Sequence, residues 1–140
     1  MGKINYGRVV LGGLVAGVII NIGEFILNEQ ILKTDWADAM KALNKPVMSG
    51  SAIPILVVLC MFLGIFLTWV YAAIRPRFSA GPKTAICAGL VVWTLAYAWP
   101  SLSGMVMEMF PAKLFVISMI WGLFEAPIAA LAGASLYKET

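Results

Sequence analysis

The hydrophobic residues of this chain fall into four long runs, separated by short stretches that hold most of the charged side chains. The runs cover about residues 8–32, 51–74, 84–107 and 113–137. A helix needs about 20 mostly apolar residues to cross roughly 30 Å of hydrocarbon, and each run reaches that length. The pattern therefore predicts an all-α integral membrane four-helix bundle, with residues 1–140 forming a single membrane domain.

The polar stretch between the first and second runs has the pattern of a short amphipathic surface helix over about residues 35–44. Asp35 suits the N-cap position, and the segment is too short to span a bilayer. The apolar positions of one helical face are Trp36, Ala39, Met40 and Leu43. Two placements stay open: the helix lies on the membrane surface with Trp36 at headgroup depth, or it folds as a cap over the bundle.

Composition agrees with a bilayer as the main partner of this chain. Hydrophobic residues make up 61% of it and charged residues only 12%, and the mean hydropathy is +0.92. Soluble domains are about half apolar and about a quarter charged. The net charge of +3 comes from scattered lysines and arginines rather than a basic run, so no nucleic-acid partner is expected.

The residue types that carry most enzyme chemistry are missing from the sequence. It contains no histidine, which removes the commonest metal ligand and the usual general base near neutral pH. Cys60 and Cys87 lie in different runs and have neither zinc nor redox spacing. No GxSxG, HExxH, Walker A or Rossmann pattern is present. We therefore expect a non-catalytic protein with no metal site and no cofactor.

Lysine and arginine residues are divided unequally between the two sides of the predicted bundle. Six lie on the side of the chain termini and four on the opposite side. Because basic residues in short loops favour the cytoplasm, we expect a multi-pass protein of the inner (plasma) membrane with both termini cytoplasmic. An aromatic belt at the inner face is then expected from Tyr6, Trp69, Tyr71 and Tyr137.

Two of the runs each carry one stripe of small and polar residues with a glutamate inside it. In the first run the stripe consists of Gly13, Gly17, Asn21, Glu24 and Asn28. In the fourth run it consists of Ser118, Gly122, Glu125, Ala129 and Ala132. Small residues let helices approach closely in lipid, so Gly13, Gly17, Gly122 and Ala129 are predicted packing positions. The two stripes are expected to face each other.

The third and fourth runs each contain a proline. Pro100 and Pro127 remove a backbone hydrogen bond from a helix interior and are predicted to kink it. The aromatic residues around the first of these prolines could shape a pocket or simply pack against neighbouring helices; they are Trp93, Tyr97 and Trp99.

Two carboxylic acids lie deep within the predicted bundle. Glu125 is near the middle of its run, and Glu24 lies about one helical turn further from the terminal side by the 1.5 Å rise per residue. Such residues are costly in hydrocarbon and normally face the bundle interior, where they have partners. The partners available here are Asn21, Asn28, Ser118, the Trp121 N–H and the other acid. We expect at least one of the two acids to carry a proton at neutral pH. Because Asn21 and Glu24 interrupt the first run, it is interpreted as a retained span and not a signal peptide.

Two functions are compatible with these residues, and the sequence favours the first, with the second as its alternative. The first is a small polytopic protein that acts through helix packing, as a homo-oligomer or as an accessory subunit of a membrane complex. The second is a proton-coupled small-solute transporter that uses Glu24 and Glu125.

The layout resembles the small four-span bacterial membrane proteins grouped as domains of unknown function. Two stretches carry the likeness: "EQILKTDWADAMKALNK" after the first run, and "PAKLFVISMIWGLFEAPIAALAGASLY" as the last. The resemblance covers most of the chain and implies the same four-span architecture, without implying any chemistry.

Overall fold

The computed structural model describes residues 2–139 and contains helices but no strand within that range. In chain order these are α1 (Tyr6–Phe25), the π-helical turn π1 (Ile26–Ile31), α2 (Lys33–Ala42), α3 (Ala52–Phe78), α4 (Pro82–Trp93), the π-helical turn π2 (Thr94–Ala98), α5 (Trp99–Val106) and α6 (Ala112–Leu136). The π turns continue their neighbours, so α1 with π1, and α4 with π2 and α5, each form one long rod.

Four helical rods, two of them continuous through a π turn, are long and apolar enough to cross a membrane. This confirms the predicted all-helical architecture with four such segments. They are Tyr6–Ile31, Ala52–Phe78, Pro82–Val106 and Ala112–Leu136. The largest departure from the predicted bounds is at the end of α3, which continues to Phe78 where the apolar pattern ended at residue 74. That last turn carries Arg75 and Arg77, so hydropathy alone ends the segment too early.

In the four-rod bundle, α3 and α6 touch each other across the middle, and α1 and α4 lie on either side of them. α1 contacts α3 and α6, α4 contacts the same two helices, and α3 also contacts α6. The chain runs up and down the bundle, so one end carries the termini and the α3–α4 connection. We call this the terminal end, and the opposite end, which carries α2, the α2 end. The expected contact between the first and fourth runs is present as the α1–α6 interface.

Glycines set the closest helix contacts, although not with the partner predicted for them. A Cβ built on Gly64 of α3 would overlap the backbone of Gly13 and Gly17, so these predicted packing residues face α3 and not α6. The α6 contact is made by a neighbouring face, where Gly12 meets Gly133. Because α1 lies in a corner between two helices, both faces need small residues, and the stripe alone could not identify its partner.

The terminal end is closed by side chains that point inward. Tyr71 and Tyr137 are buried and pack edge to face with ring centroids 5.9 Å apart. The Tyr137 hydroxyl accepts a hydrogen bond from the Asn5 backbone N–H at 3.3 Å, and the Arg75 guanidinium lies 5.4 Å from the Tyr137 ring centroid. The predicted aromatic belt is therefore wrong for these two tyrosines, because each ring and hydroxyl finds its partners inside the protein.

At the α2 end, the amphipathic helix is folded as a cap over the bundle, which decides between the two placements left open by the sequence. Ala39 is buried in a cluster with Leu27 and Leu114. The Trp36 ring packs edge to face against Phe110 with centroids 5.3 Å apart. The helix starts at Lys33 instead of residue 35, and Asp35 lies in its first turn and is not the N-cap. The reason is that π1 leads into α2 with only Leu32 between them.

Candidate functional site

Glu125 lies in the interior of the bundle and is bound by two ring donors. It is 6% exposed, thirteen residues after the first residue of α6 and eleven before the last. The Tyr97 hydroxyl donates to its Oε2 at 2.6 Å, and the Trp121 indole N–H donates to its Oε1 at 3.2 Å. A buried carboxyl normally needs such partners, and here each oxygen has one.

Glu24 of α1, which is half-buried, brings a second carboxyl into the neighbourhood of Glu125. The Asn28 amide donates to Glu24 Oε2 at 2.9 Å and to the Glu24 main-chain carbonyl at 2.9 Å. The Trp36 indole N–H of α2 donates to Asn28 Oδ1 at 3.0 Å. A continuous series of polar contacts thus leads from the capping helix to the middle of the bundle. We call it the polar chain; its members are Trp36, Asn28, Glu24, Glu125, Tyr97 and Trp121.

Both π turns supply members of this polar chain. Asn28 lies in π1, and Tyr97 lies in π2. A π turn inserts an extra residue into a helical turn and changes the face on which the following side chains lie, and such turns are frequent at functional sites. The predicted distortion near Pro100 takes this form, since π2 ends two residues before the proline. Pro127 lies inside α6, which is helical throughout, and its backbone fits against Gly89 of α4.

Two glycines make room for the acid and its tyrosine partner. A Cβ built on Gly23 would overlap the Glu125 carboxyl, and one built on Gly122 would overlap the Tyr97 ring. The predicted packing role of Gly122 is thus directed at the aromatic ring of π2 and not at α1. Ala129, the fourth predicted packing residue, is completely buried in the core.

The structure separates two of the predicted site residues from the carboxyls. The Asn21 amide donates to the Gly17 carbonyl at 3.0 Å and to the Val57 carbonyl of α3 at 3.2 Å, so it connects α1 to α3. Ser118 is half-buried two helical turns before Glu125 and bonds to neither carboxyl. Of the five predicted polar residues, the structure brings together Glu24, Asn28 and Glu125.

Acidic groups from several helices gather at this place. Four titratable groups interact there, one from each long rod: Glu24, Cys60, Tyr97 and Glu125. The three ion pairs found in residues 2–139 all involve side chains near the helix ends and not these acids. Two carboxylates close together repel each other, and burial makes that repulsion stronger.

A groove of about 570 Å³ between α1 and α6 leads from the outside of the bundle to this site. Glu125, Trp121 and Gly23 line it, together with large apolar side chains. The apolar ones are Ile19, Ile22, Ile117, Ile120, Phe124 and Ile128. Most of these are exposed on the bundle surface that would face lipid, so the groove opens sideways and not toward either end.

The described residues do not form a metal centre. No group of three or more His, Cys, Asp or Glu side chains within residues 2–139 is arranged to hold an ion. The polar chain offers hydrogen bonding, proton binding and the attraction of a positively charged group.

Sequence reasoning did not assign Tyr97 or Trp36 to the site. Tyr97 was left between a pocket and a packing role, although a tyrosine in mid-span needs a partner for its hydroxyl. It also lies four residues after Trp93, whose indole N–H donates to the Met119 carbonyl of α6 at 2.8 Å. Both rings face α6, and the need of a mid-span tyrosine hydroxyl for a partner is the signal that could have found Tyr97. Trp36 could not be found because nothing in the sequence specified where α2 docks.

Comparison of the chain with protein-family models, with curated proteins and with solved structures finds no match. The resemblance to small four-span bacterial proteins therefore rests on layout, and the chain's function has to be argued from its own site.

Proposed function

We propose that this chain is a multi-pass protein of the inner (plasma) membrane whose Glu24–Glu125 pair binds a proton and couples it to the movement of a small solute. The observation that carries the proposal is the convergence of two acids, the half-buried Glu24 of α1 and the buried Glu125 of α6, at one place in an apolar bundle.

Two carboxyls close together bind a proton between them because their like charges oppose simultaneous ionisation. None of the ion pairs found in residues 2–139 joins either acid to a lysine or arginine, so the second charge calls for a proton or another cation. Acidic residues inside membrane helices commonly mark proton or substrate paths. Exchange of that proton for a solute is the simplest use of such a pair.

The proposed orientation rests on the charge asymmetry of the chain. The terminal end carries six of the ten basic residues, which favours a cytoplasmic position for it. The polar chain starts at the α2 end, with Trp36. In the proposed orientation the carboxyl pair is therefore connected by hydrogen bonds to the non-cytoplasmic side.

A packing role in an oligomer or a larger membrane complex is the second candidate, and one observation favours it. Both oxygens of Glu125 already have ring donors, and Asn28 donates to Glu24, so the cluster is well enough paired to hold helices in register. In that role the acids would fix α1 against α6 and α4, and any proton would stay bound.

Infrared titration of the reconstituted protein tests the proton site. We expect the carbonyl band of a protonated carboxyl at neutral pH, and its loss or displacement in Glu24→Gln and in Glu125→Gln. Glu108→Gln is the matched control, because Glu108 is exposed beyond the end of α5. If wild-type protein shows no protonated carboxyl at pH 6, the proton site does not exist.

Transport is tested in proteoliposomes that contain a pH-sensitive dye and are exposed to a panel of small solutes. We expect a solute-driven pH change that disappears in Glu24→Gln and Glu125→Gln and persists in Glu108→Gln. Native mass spectrometry of the same variants measures assembly. Loss of assembly in the two glutamine variants, with no solute-driven pH change in wild type, would favour the packing role instead.

A further inference from the structure

The groove between α1 and α6 combines an almost wholly apolar wall with a carboxyl at its floor. Gly23 has no side chain at the position where Glu125 Oε1 approaches α1, which keeps that oxygen at the groove floor. The Trp121 ring borders the same place and bonds the same oxygen through its N–H. A ligand that enters the groove therefore meets an apolar wall and, at one place, an acid with the indole N–H that bonds it.

The chemistry of the lining defines what would bind there. A ligand in this position must be apolar along most of its length, because isoleucine and phenylalanine side chains cover it. Its one polar end must complement a carboxyl, which selects a hydrogen-bond donor with positive charge.

We propose that this groove admits a long-chain primary amine from the lipid, with its ammonium group on Glu125 and its alkyl chain along α6. The inference rests on the proposed proton site and names its substrate class.

The geometry of the groove sets the direction and length of the chain. Its α6 wall runs from Ile117 to Ile128, and Glu125 lies near the Ile128 end. The stretch from Glu125 back to Ile117 is eight residues, or about 12 Å by helical rise. An amine seated on Glu125 therefore directs its tail toward the α2 end.

Amine binding removes the proton from this carboxyl pair by either of two routes, and the charges balance in both. An ammonium ion that arrives from water replaces the proton on the carboxyls, so that an O–H bond breaks and the proton leaves to solution. A neutral amine that arrives from lipid takes the proton itself, and an N–H bond forms as the O–H bond breaks. In both cases the product is an ammonium–carboxylate pair in a site that previously held a proton.

The test measures binding of radiolabelled decylamine to the full-length protein in lipid nanodiscs, with decanol and decanoate as competitors. We expect decanol and decanoate to compete at least about tenfold more weakly than unlabelled decylamine, because a charge-assisted hydrogen bond is lost. Glu125→Gln should weaken decylamine binding by a similar factor. Each amine bound from neutral solution should release a proton.

Two tryptophan variants separate the groove from the rest of the apolar surface. Ile120→Trp fills the groove and should abolish binding, whereas Leu59→Trp on α3 should leave it unchanged. The two positions are matched, with 51% and 56% of their surface exposed. Both substitutions add an apolar ring on the lipid-facing side, so both are expected to fold.

Three results would overturn the inference. Equal competition by decanol would make the groove a site for lipid tails, undiminished binding in Glu125→Gln would place the amine elsewhere, and a change of oligomer mass in Ile120→Trp would mean that a second copy occupies the groove.

Other results distinguish a failure of this inference from a failure of the proposed function. A wild-type protein that shows the protonated carboxyl and solute-driven pH change but does not bind decylamine disproves this inference alone. One that binds decylamine without releasing a proton disproves the proton site alone.

Discussion

The two halves of the bundle use small residues for opposite purposes. Toward the terminal end, Gly13 and Gly17 let the backbone of α1 touch that of α3 at Gly64, and no room is left for a side chain. Toward the α2 end, Gly23 makes room for a carboxyl instead. The first arrangement holds the helices together by close packing, and the second accommodates polar groups whose burial is costly. The two uses of glycine therefore follow one another along α1.

The largest expected effect comes from disrupting the close glycine contact between α1 and α3. Gly64→Val places atoms where the backbone of α1 lies, so α1 and α3 have to separate. Because overpacking of a tight core typically costs about 1–3 kcal/mol and backbone can give way less than side chains, we expect a loss of at least the upper value. The free energy of unfolding in mixed micelles measures it.

Gly50→Val is the matched control for this substitution. A Cβ at Gly50 meets nothing within 4 Å, since the residue lies in the connection between α2 and α3. The control should unfold like wild type. If Gly64→Val were as stable as Gly50→Val, close backbone packing would not be what holds α1 to α3.

The sequence predicted single helices better than it predicted which helices touch, and the reason is physical. Four rods could be recognised because each has to be apolar over the width of a bilayer, a property of single segments. Helical rise placed Glu24 about one turn beyond Glu125 in depth, a gap that their side chains can bridge. The sequence did not show which helices are neighbours. A stripe such as Gly13, Gly17 and Asn21 indicates a close helix contact but does not identify the partner helix.

The members of the polar chain that were missed depend on irregular backbone. Tyr97 faces Glu125 from within π2, and Trp36 reaches Asn28 because π1 leads into α2 almost without a break. An extra residue in a helical turn changes which side chains share a face, and a regular 3.6-residue period does not anticipate it. The sequence therefore predicted the acids and not the geometry that surrounds them.

An intermediate effect is expected from Tyr97→Phe, which removes one hydrogen-bond donor from the polar chain and keeps the shape of the aromatic ring. The substitution removes the hydroxyl that donates to Glu125 Oε2 at 2.6 Å and keeps the ring that fits against Gly122. Loss of a donor to a buried acid costs about 1–3 kcal/mol. The free energy of unfolding should fall by that amount, and the infrared band of the protonated carboxyl should shift.

Tyr6→Phe is the control for the tyrosine variant, because Tyr6 is exposed at the start of α1. It should change neither the stability nor the infrared spectrum. A Tyr97→Phe protein with an unaltered carboxyl band would show that the tyrosine does not bond the acid that titrates.

The smallest expected effect comes from Trp36→Phe, which separates the capping helix from the polar chain. The variant loses the indole N–H that donates to Asn28 Oδ1 at 3.0 Å but can keep the ring contact with Phe110. A neutral hydrogen bond at a partly buried position contributes about 0.5–1.5 kcal/mol. Hydrogen exchange should therefore quicken in α2 and π1 and stay unchanged in α3, whereas Trp99→Phe, at a ring that is 70% exposed on the bundle surface, should quicken neither. Faster exchange throughout the bundle in Trp36→Phe would mean that α2 supports both halves, and the division between a packed half and a polar half would then be wrong.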